Sequence, residues 1–321
     1  MASTECAPHA SAAAPGKVIL LGEHAVVYGC AALAATIGRS VVVRVAGASS
    51  MHSRIAVDGD LSEQALLRAL QIVGIDPGSV SLSVSTDLPV GVGLGSSAAL
   101  SVALVRALAR YAGQALDDAT VCRHAFEMER IFHAFPSGID NTVVTYGGVM
   151  AFKSGAPPRP LRVAASMPLV IALGREPRRT RQTVTALRHR WEVAPRMYEA
   201  IFDDIERLVV EAEGALAGAD IGTLGALMNA NHELLRRLQV STDELDALVR
   251  FARAHDAVGA KLTGGGGGGA VICLCDGDPE GLVAAFRNAG WRAFATLLGT
   301  GKELYAIHDD SRLEWRGAAP A

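Results

Sequence analysis

Closely spaced glycine and serine residues are the clearest candidates for chemistry in this chain. Residues 89–99 read Pro-Val-Gly-Val-Gly-Leu-Gly-Ser-Ser-Ala-Ala, and an apolar segment with helical periodicity, 100–111, follows them. Gly91, Gly93 and Gly95 allow a backbone that bends sharply and lies close to a ligand. A glycine loop before a helix presents free backbone N–H groups and the positive end of the helix dipole, which together bind anions. The segment therefore predicts a phosphate-binding loop or, alternatively, a tight structural turn.

Two known nucleotide-binding patterns fit this segment poorly. The loop Gly-x-x-x-x-Gly-Lys-[Ser/Thr] needs a lysine after its last glycine, and this chain has Ser96 there. Residues 93–98 match the dinucleotide fingerprint Gly-x-Gly-x-x-Ala. In dinucleotide-binding domains, a second parallel strand follows this fingerprint and ends in an acidic residue about 20 positions later. Here Asp117 and Asp118 begin another helical segment instead. A dinucleotide-dependent oxidoreductase is therefore the weaker interpretation.

A glutamate lies at the centre of the apolar face of the predicted helix 118–132. At 100° per residue, the neighbours of Glu129 on that face are Val121, Cys122, Ala125, Phe126 and Phe132. An inward carboxylate costs several kcal/mol unless it is paired or bound to a cation. Mg²⁺ is held by one or two carboxylates together with substrate phosphates. Glu129 is thus predicted to form a buried salt bridge or to bind magnesium.

A second carboxylate follows in the segment 133–141, which reads His-Ala-Phe-Pro-Ser-Gly-Ile-Asp-Asn. Ser137 and Asp140 have the spacing of a helix capping box, and Pro136 precedes them. Asp140 is therefore either a helix cap or a catalytic base, ionised near a helix N-terminus and a lysine.

Two further segments could contact a ligand. Lys17 begins an apolar strand pattern, 17–23, so it is either a solvated strand end or a functional cation. Six consecutive glycines, 264–269, follow Lys261-Leu-Thr263 and precede another apolar strand. Because glycine loses much conformational entropy on folding, six consecutive glycines would be unfavourable if they formed only a simple hairpin. The run predicts a second close approach of the backbone to a ligand.

An arginine-rich segment begins the second half of the chain. It is either a solvated face or a source of cations for an anionic substrate. Its six members are Arg175, Arg178, Arg179, Arg181, Arg188 and Arg190.

The composition restricts the class of protein. The chain has 321 residues, 50% of them hydrophobic and 20% charged, with a formal net charge of −3. This length suits about two domains, and the charge gives no reason to expect nucleic acid or a membrane surface as a partner. No uncharged apolar run reaches the ~18 residues that span a membrane. The five cysteines have no Cys-x-x-Cys spacing, so we expect reduced thiols and a cytoplasmic protein.

The remaining patterns predict an α+β fold in two parts. Residues 1–13 are rich in Ala, Ser, Pro and His and are expected to be a disordered lead, without the features of a signal peptide. The Ser/Gly/Pro-rich segment 153–160 is the candidate linker. Strands are predicted over 17–23, 26–33, 39–45, 80–84, 147–152, 168–173 and 270–275 and near 296 and 304. Helices are predicted over 100–111, 118–132, 198–216, 221–238, 242–254 and 280–289.

Three stretches in one order carry a resemblance to a known family. They are 14–29 (Ala-Pro-Gly-Lys-Val-Ile-Leu-Leu-Gly-Glu-His-Ala-Val-Val-Tyr-Gly), 91–99 and 261–269. Together they closely resemble the GHMP small-molecule kinases, from residue 14 to about 307. The resemblance implies a mixed α/β N-terminal domain (14–160) that carries the glycine-rich ATP loop. It also implies a ferredoxin-like α+β C-terminal domain (161–310), which a tail, 311–321, follows.

Two stretches narrow the activity that the resemblance implies. They are Gly-Glu-His-Ala-Val-Val-Tyr-Gly (22–29) and Glu-Arg-x-x-His-x-x-Pro-Ser-Gly-Ile-Asp-Asn (129–141). Both are similar to the family members that phosphorylate (R)-mevalonate on its 5-hydroxyl with ATP, in the mevalonate route to isoprenoids. Other acceptors in the family, phosphomevalonate and homoserine, and phosphorylation of the mevalonate 3-hydroxyl remain alternatives. A nucleotide-sensing protein without turnover is a further alternative function. A homodimer is one assembly compatible with the sequence.

The resemblance also implies how the residues divide between nucleotide and metal. The ATP phosphates would be wrapped by Gly91, Val92, Gly93, Leu94, Gly95, Ser96, Ser97 and Ala98. Ser97 and Glu129 would hold Mg²⁺.

The acceptor side is implied in the same way. Asp140 would be the base for the substrate hydroxyl, with Lys17 beside it. Glu23 and His24 would lie by the acceptor, and the glycine loop of Thr263 would close the site.

Two positions depart from the family pattern. Ala134 stands where glycine is usual, and Phe135 stands where a small or polar residue is usual. We expect a reshaped acceptor pocket from them.

Overall fold

Two β-sheets and the helices packed on them make up the protein. The computed structural model describes residues 9–48, 55–57, 63–132, 136–164, 167–176 and 178–299. The strands of the first sheet are β1 (His9–Leu21), β2 (Ala32–Gly47), β3 (Ile55–Val57), β4 (Val80–Thr86), β5 (Val149–Phe152) and β6 (Arg159–Leu161). The helices beside this sheet are α1 (Glu63–Val73), α2 (Ser96–Tyr111), α3 (Asp118–Phe132) and α4 (Ile139–Tyr146).

The second half supplies the other sheet and longer helices. Its strands are β7 (Pro168–Leu173), β8 (Gly259–Thr263), β9 (Ala270–Leu274) and β10 (Arg292–Leu297). Its helices are α5 (Thr180–Val193), α6 (Pro195–Gly218), α7 (Ile221–Arg237), α8 (Asp243–Arg253) and α9 (Glu280–Asn288).

Strand β2 organises the first sheet because three strands pair with it. The order is β3-β4-β2-β5-β6, and β1 pairs with β2 outside this path. All pairs are antiparallel except β3 with β4. Helix α2 packs against β1 and β2, and its alanines, valines and leucines are almost all buried. This packing places the N-terminus of α2 beside the middle of β1.

The second sheet is antiparallel, in the order β10-β7-β9-β8. Alternate residues of β9 face two different cores, as strand geometry requires. Ile272 packs in the core that is shared with the first sheet, whereas Val271 and Cys273 pack with α8 and α9. The two sheets are therefore joined by continuous apolar packing, and the N-terminal and C-terminal halves meet along β1 and β8.

Two predictions for the first 33 residues are wrong. The segment 26–33 is not one strand: Ala25–Tyr28 form a 3₁₀ turn between His24 and Gly29, both at positive φ, and β2 begins only at Ala32. Residues 9–13 of the expected disordered lead belong to β1. They are ordered because β2 is 16 residues long and its far end pairs with them, with His9 opposite Ala46.

The expected linker lies inside the first sheet. Residues 153–158 connect β5 to β6, which pair as an antiparallel hairpin. The chain leaves this sheet after Leu161 and enters the second sheet at Pro168. The strand predicted near residue 304 lies outside the described residues.

Helix α6, with 24 residues, is the longest helix described. None of the helices in the described ranges has the length and apolar character needed to cross a membrane.

Candidate active site

The glycine loop ends at the N-terminus of α2. Gly91, Gly93 and Gly95 have φ values of 77°, 96° and 76°, a region that favours glycine. Gly95 is the N-cap residue of α2 and has no side chain that could bond to the first N–H groups of the helix. These N–H groups and the helix dipole form an anion site of the kind that binds phosphate.

A buried lysine lies between this loop and a carboxylate. Lys17 of β1 is 2% exposed, and its Nζ is 2.7 Å from Oδ1 of Asp140. The lysine stem passes so close to the loop that a Cβ at Gly95 would lie 2.7 Å from its Cγ. Glycine is therefore required at position 95 both for its φ value and for the space that Lys17 occupies.

Asp140 lies in the first turn of α4 without capping it. The N-cap residue is Gly138, at φ 85°, and the Ile139 N–H donates to Oγ of Ser137 at 3.4 Å. The carboxylate of Asp140 instead faces Lys17. The capping-box interpretation of Asp140 is therefore wrong, because Gly138 turns the chain one position later than that pattern assumes.

Glu129 is buried on α3, as the helical periodicity predicts. It is 2% exposed and forms a hydrogen bond with the side chain of Ser97 in the first turn of α2. Burial raises the pKa of Glu129 to about 8, and the charge of Asp140 acts in the same direction. The Ser97 hydrogen bond and Lys17 partly offset this rise in pKa. Helices α2, α3 and α4 thus bring the side-chain oxygens of Ser97, Glu129 and Asp140 close together, and strand β1 supplies the cation Lys17.

His24 has a strained backbone and an uncharged side chain. Its φ of 61° lies in the left-handed region, which is uncommon for a residue with a Cβ. Burial lowers the pKa of His24 to about 4, and the nearby charges of Arg178, Arg190 and Lys261 lower it further, while a hydrogen bond with the Gly265 backbone opposes the shift. The imidazole is therefore neutral at pH 7.

These groups line one cavity, which we call the central cavity, of about 210 Å³. Its polar lining includes Lys17, His24, Glu129, Asp140, Arg178 and Arg181. Its apolar lining includes Ile19, Val26, Val27, Phe132, Pro136, Ile139 and Val184. The cavity can therefore contact both charged groups and a short alkyl group. Ala134 and Phe135 lie outside the described residues.

The arginine run separates into different environments. The Arg178 guanidinium lies between the two glycine loops, since a Cβ at Gly93 would be 3.3 Å from its Cζ and one at Gly264 would be 3.2 Å from its Nη2. Burial lowers the pKa of Arg178, and Asp140 acts in the opposite direction. Arg190 instead donates to the Leu238 carbonyl at 2.8 Å. Sequence reasoning did not distinguish these arginines, because charge spacing contains no information on which of them reaches the cavity.

The six-glycine run contacts mainly protein. Gly264 and Gly265 line the central cavity, as the prediction of a close approach to a ligand requires. Farther along, a Cβ at Gly266 would lie 2.1 Å from the carbonyl oxygen of Val240, and one at Gly269 would lie 2.7 Å from that of Val92. Backbone therefore packs on backbone at Gly266 and Gly269, whereas a Cβ at Gly265 or Gly267 would meet the side chain of Thr180 or Thr183.

Glu23 and Thr263 lie outside the lining of the central cavity. Glu23 is 1% exposed and forms an ion pair with Nζ of Lys261 in β8, and Asn231 donates to its second oxygen at 3.0 Å. The Thr263 hydroxyl accepts from the Ile19 N–H at 2.9 Å and donates to the Ile19 carbonyl at 3.1 Å. Both residues join β1 to β8 under the cavity wall.

Sequence reasoning missed Lys261 as the partner of Glu23. The one available signal was a lysine inside an apolar strand pattern, between Ala260 and Leu262. Such a lysine is fully buried only when a counter-charge is present.

Comparison with known proteins identifies the family. Residues 60–148 match the GHMP kinases N terminal domain, and residues 212–293 match the GHMP kinases C terminal domain. A mevalonate kinase of Methanothermobacter thermautotrophicus is 37% identical over 291 residues, which cover 88% of this chain and 95% of that protein. One of Aeropyrum pernix is 35% identical, covering 92% and 98%. The chain belongs to the GHMP kinases, in the mevalonate kinase branch.

The fold agrees with this assignment. The crystal structure of L. major mevalonate kinase in complex with R-mevalonate superposes with a TM-score of 0.81, at 28% identity and over 91% of this chain and 96% of that one. The predicted two-domain GHMP kinase fold is confirmed. As a GHMP kinase the protein is a phosphotransferase, so the oxidoreductase alternative is wrong.

Two carboxylates line the central cavity of this GHMP kinase, those of Glu129 and Asp140. Among the residues that the structure describes, no three His, Cys, Asp or Glu side chains are grouped closely enough to hold a metal ion. The hydroxyl of Ser97 adds an oxygen beside the first carboxylate, because it bonds to Glu129. A site with two protein ligands is complete only when other oxygens, such as phosphate or water, fill the remaining positions.

Proposed function

We propose that the protein transfers the γ-phosphoryl group of ATP to the 5-hydroxyl of (R)-mevalonate. The observation that carries the proposal is the Lys17–Asp140 pair, 2.7 Å apart, in a cavity that the mevalonate-type motifs surround. Similarity to curated mevalonate kinases over most of the chain supports the choice of acceptor. So does the L. major mevalonate kinase structure, which is a complex with R-mevalonate.

Asp140 is the proposed general base. Its carboxylate is 31% exposed, so an incoming hydroxyl can reach it, and it accepts the proton that this hydroxyl loses. Lys17 orients the carboxylate by its ion pair and has further N–H groups for the transferred phosphoryl oxygens. Because the transition state of phosphoryl transfer is loose, positioning and charge neutralisation supply most of the catalysis.

Residues 91–98 are the proposed binding site for the ATP phosphates. The uncapped N–H groups at the start of α2 and the positive end of its dipole stabilise the charge that develops on the leaving ADP. Glycine at 93 and 95 lets Arg178 and Lys17 lie against the loop, so that both cations are close to the proposed phosphate site.

The residues of the cavity fit a magnesium ion. Mg²⁺ prefers oxygen ligands and is bound by one or two carboxylates plus substrate phosphates, and Glu129 and Ser97 would hold it here. The pKa of Glu129, raised to about 8 by burial and by Asp140, marks a carboxylate whose charge has too little compensation from the protein alone. When bound, Mg²⁺ neutralises charge on the β- and γ-phosphates.

Arg178 and His24 are the proposed contacts for the rest of the acceptor. Arg178 faces the central cavity and has a planar fork of N–H donors that matches a carboxylate. The neutral His24 imidazole can donate or accept one hydrogen bond with the tertiary hydroxyl. Glu23 and Thr263 keep β1 and β8 together and are proposed to support the site through His24 and Gly264.

The location and assembly of the protein stay predictions. The four cysteines in the described ranges are free thiols: Cys30, Cys122, Cys273 and Cys275. Free thiols are typical of a cytoplasmic protein. A homodimer is compatible with a site that one chain forms from its own residues.

An ADP-release assay with four acceptors tests the proposed function. We expect mevalonate to have a higher kcat/KM than phosphomevalonate, homoserine or galactose, and the product to carry phosphate on its 5-oxygen by ³¹P NMR. A higher kcat/KM with phosphomevalonate or homoserine would reject mevalonate as the preferred acceptor. ATP binding without ADP release from any acceptor would favour a nucleotide sensor instead.

Glu129→Gln should weaken the use of Mg²⁺·ATP and leave the fold intact. Glutamine keeps the size and the hydrogen bond to Ser97 but removes the charge, so the Mg²⁺ concentration that gives half-maximal rate should rise by about tenfold or more, as for a lost charged contact. Initial rates at several Mg²⁺ concentrations measure this change. If thermal stability falls and the magnesium dependence is unchanged, Glu129 has a structural role.

Arg178→Gln should raise the KM for mevalonate by about tenfold to hundredfold, because hydrogen bonds to charged groups contribute about 1.5–3 kcal/mol. The KM for ATP should change much less. Arg181→Gln is the matched control, since Arg181 also lines the central cavity. A larger rise in the mevalonate KM for Arg181→Gln than for Arg178→Gln would assign the carboxylate to Arg181.

A further inference from the structure

A second cavity, of about 560 Å³, lies next to the central cavity. Val27, in the turn after β1, and Val184, in α5, line both of them. Within the described ranges these two side chains are the lining that the cavities share. They therefore lie at the boundary between the candidate active site and the second cavity, where Val27 is 47% exposed, and we call these two side chains the partition.

The second cavity contains three aromatic rings, and we call it the aromatic chamber; its lining also includes the charged residues Arg188, Glu199 and Asp203. Tyr28 stacks on Phe202 with ring centroids 4.3 Å apart, and Trp191 lies 5.1 Å from Tyr28. Burial raises the pKa of Cys30 to about 11, so its thiol is uncharged at neutral pH. Tyr28, Trp191, Phe202 and Cys30 therefore give an apolar group a surface to contact in this chamber, whereas Arg188, Glu199 and Asp203 are exposed charged residues of its lining.

One polar atom of the chamber has no partner in the described part of the chain. Nε1 of Trp191 is buried and makes no hydrogen bond there. An indole N–H can only donate, and a buried donor without an acceptor is unfavourable. A water molecule or a ligand oxygen in the chamber would satisfy it. The chamber is thus suited to an occupant that is mainly apolar.

The proposed acceptor has one group that would face the partition. Asp140 and Lys17 take its primary hydroxyl and Arg178 takes its carboxylate, so the alkyl substituent on C3 is left for the apolar lining residues of the central cavity. Val27 and Val184 are two of these residues. The size of these two side chains then decides how large the C3 substituent can be.

We propose that Val27 and Val184 set the upper size of the C3 alkyl group of the acceptor, and that the aromatic chamber accommodates a longer group once either valine is shortened. This inference rests on the proposed function. In the wild type, a longer C3 group that extends towards the aromatic chamber meets these two valine side chains. In a shortened variant each additional buried methylene strengthens binding by about fourfold.

Mevalonate homologues with ethyl, propyl and butyl in place of the C3 methyl test the proposal. For the wild type, we expect kcat/KM to fall by about tenfold or more between methyl and butyl, as apolar pockets discriminate against added methylenes. Val184→Ala and Val27→Ala should each raise the butyl-to-methyl ratio of kcat/KM by about tenfold. Two variants are used so that poor folding of one leaves the other as the test.

Val26→Ala is the matched control. Val26 lines the central cavity and is adjacent in sequence to Val27, but it lies outside the lining of the aromatic chamber. Its substitution removes the same atoms without opening the partition, so the butyl-to-methyl ratio should stay near the wild-type value. Wild-type ratios in both Val184→Ala and Val27→Ala, or an equal increase in Val26→Ala, would overturn the proposal.

A binding measurement separates this proposal from the proposed function. In a protein carrying Trp291→Phe and Trp315→Phe, Trp191 is the one remaining tryptophan, and its fluorescence reports on the chamber. We expect the butyl homologue to shift the emission of Val184→Ala and to leave that of Val26→Ala unchanged. Absence of the shift in Val184→Ala rejects the chamber as a subsite, even where mevalonate is phosphorylated. Absence of wild-type mevalonate turnover rejects the proposed function, whatever the emission shows.

Discussion

Asp140→Asn is expected to lower kcat by about 10²–10⁴-fold, the usual contribution of a general base. The KM values for mevalonate and for ATP should change much less, because asparagine keeps the size and one acceptor oxygen of the side chain. The reason is chemical: an amide cannot take the proton of the acceptor hydroxyl. Steady-state kinetics in both substrates, with Mg²⁺ in excess, measure the effect.

A matched control for Asp140→Asn is a variant that also loses an ion pair in the first turn of a helix. Asp118→Asn does so, because Asp118 begins α3 and pairs with Arg106 at 2.7 Å on the surface, and we expect its kcat to stay near the wild-type value. Thermal unfolding of both variants checks folding, since Asp140→Asn leaves the buried Lys17 without its counter-charge. An Asp140→Asn protein that folds and keeps more than about a tenth of the wild-type kcat would exclude Asp140 as the base.

Lys261→Met is expected to lower the free energy of unfolding by about 3–5 kcal/mol, the effect of removing one partner of a buried ion pair. Lys261 is 0% exposed and Glu23 is 1% exposed, so the remaining carboxylate would stay uncompensated in an apolar environment. Urea unfolding followed by circular dichroism measures the change. The double variant Lys261→Met with Glu23→Leu should lose less than the single variant, because replacing both charges with apolar groups is close to neutral.

Lys153→Met provides the comparison for an exposed pair. Lys153 bonds to Glu206 at 2.9 Å with half of its side chain exposed, and such pairs contribute about 0–1 kcal/mol. Equal losses in Lys153→Met and Lys261→Met would show that burial of the Glu23–Lys261 pair has no energetic consequence. A stable Lys261→Met protein with a raised mevalonate KM would return Glu23 to the acceptor-binding role that the family resemblance implies.

The contrast between Glu23 and Glu129 shows where prediction from sequence stops. Helical periodicity identified Glu129 as inward-facing, and it is buried, because periodicity is a property of one continuous segment. Glu23 stands beside His24 in a motif that implies acceptor contact, yet its partner is 238 residues away. Nothing in the spacing of 22–29 predicts that pairing.

The second glycine run shows the same limit. Its composition predicted close backbone approach, and such approach occurs at Gly266 and Gly269. What approaches at these two positions is the backbone of Val240 and Val92, segments that only the fold brings together. Composition therefore predicts that space is tight without predicting what fills it.

The sequence by itself determined the family, the glycine loop before α2, the inward face of α3 and the order of most strands and helices, because each of these depends on short segments or on motif order. Only the tertiary structure decided that Asp140 faces Lys17 instead of capping α4, that Arg178 is the arginine between the two glycine loops, and that Val27 and Val184 separate two cavities. These features depend on contacts across the junction of the two halves, such as that of Ile19 with Thr263, 244 residues apart. Side-chain direction at such a junction follows from the packing of whole sheets and helices, which local spacing does not encode.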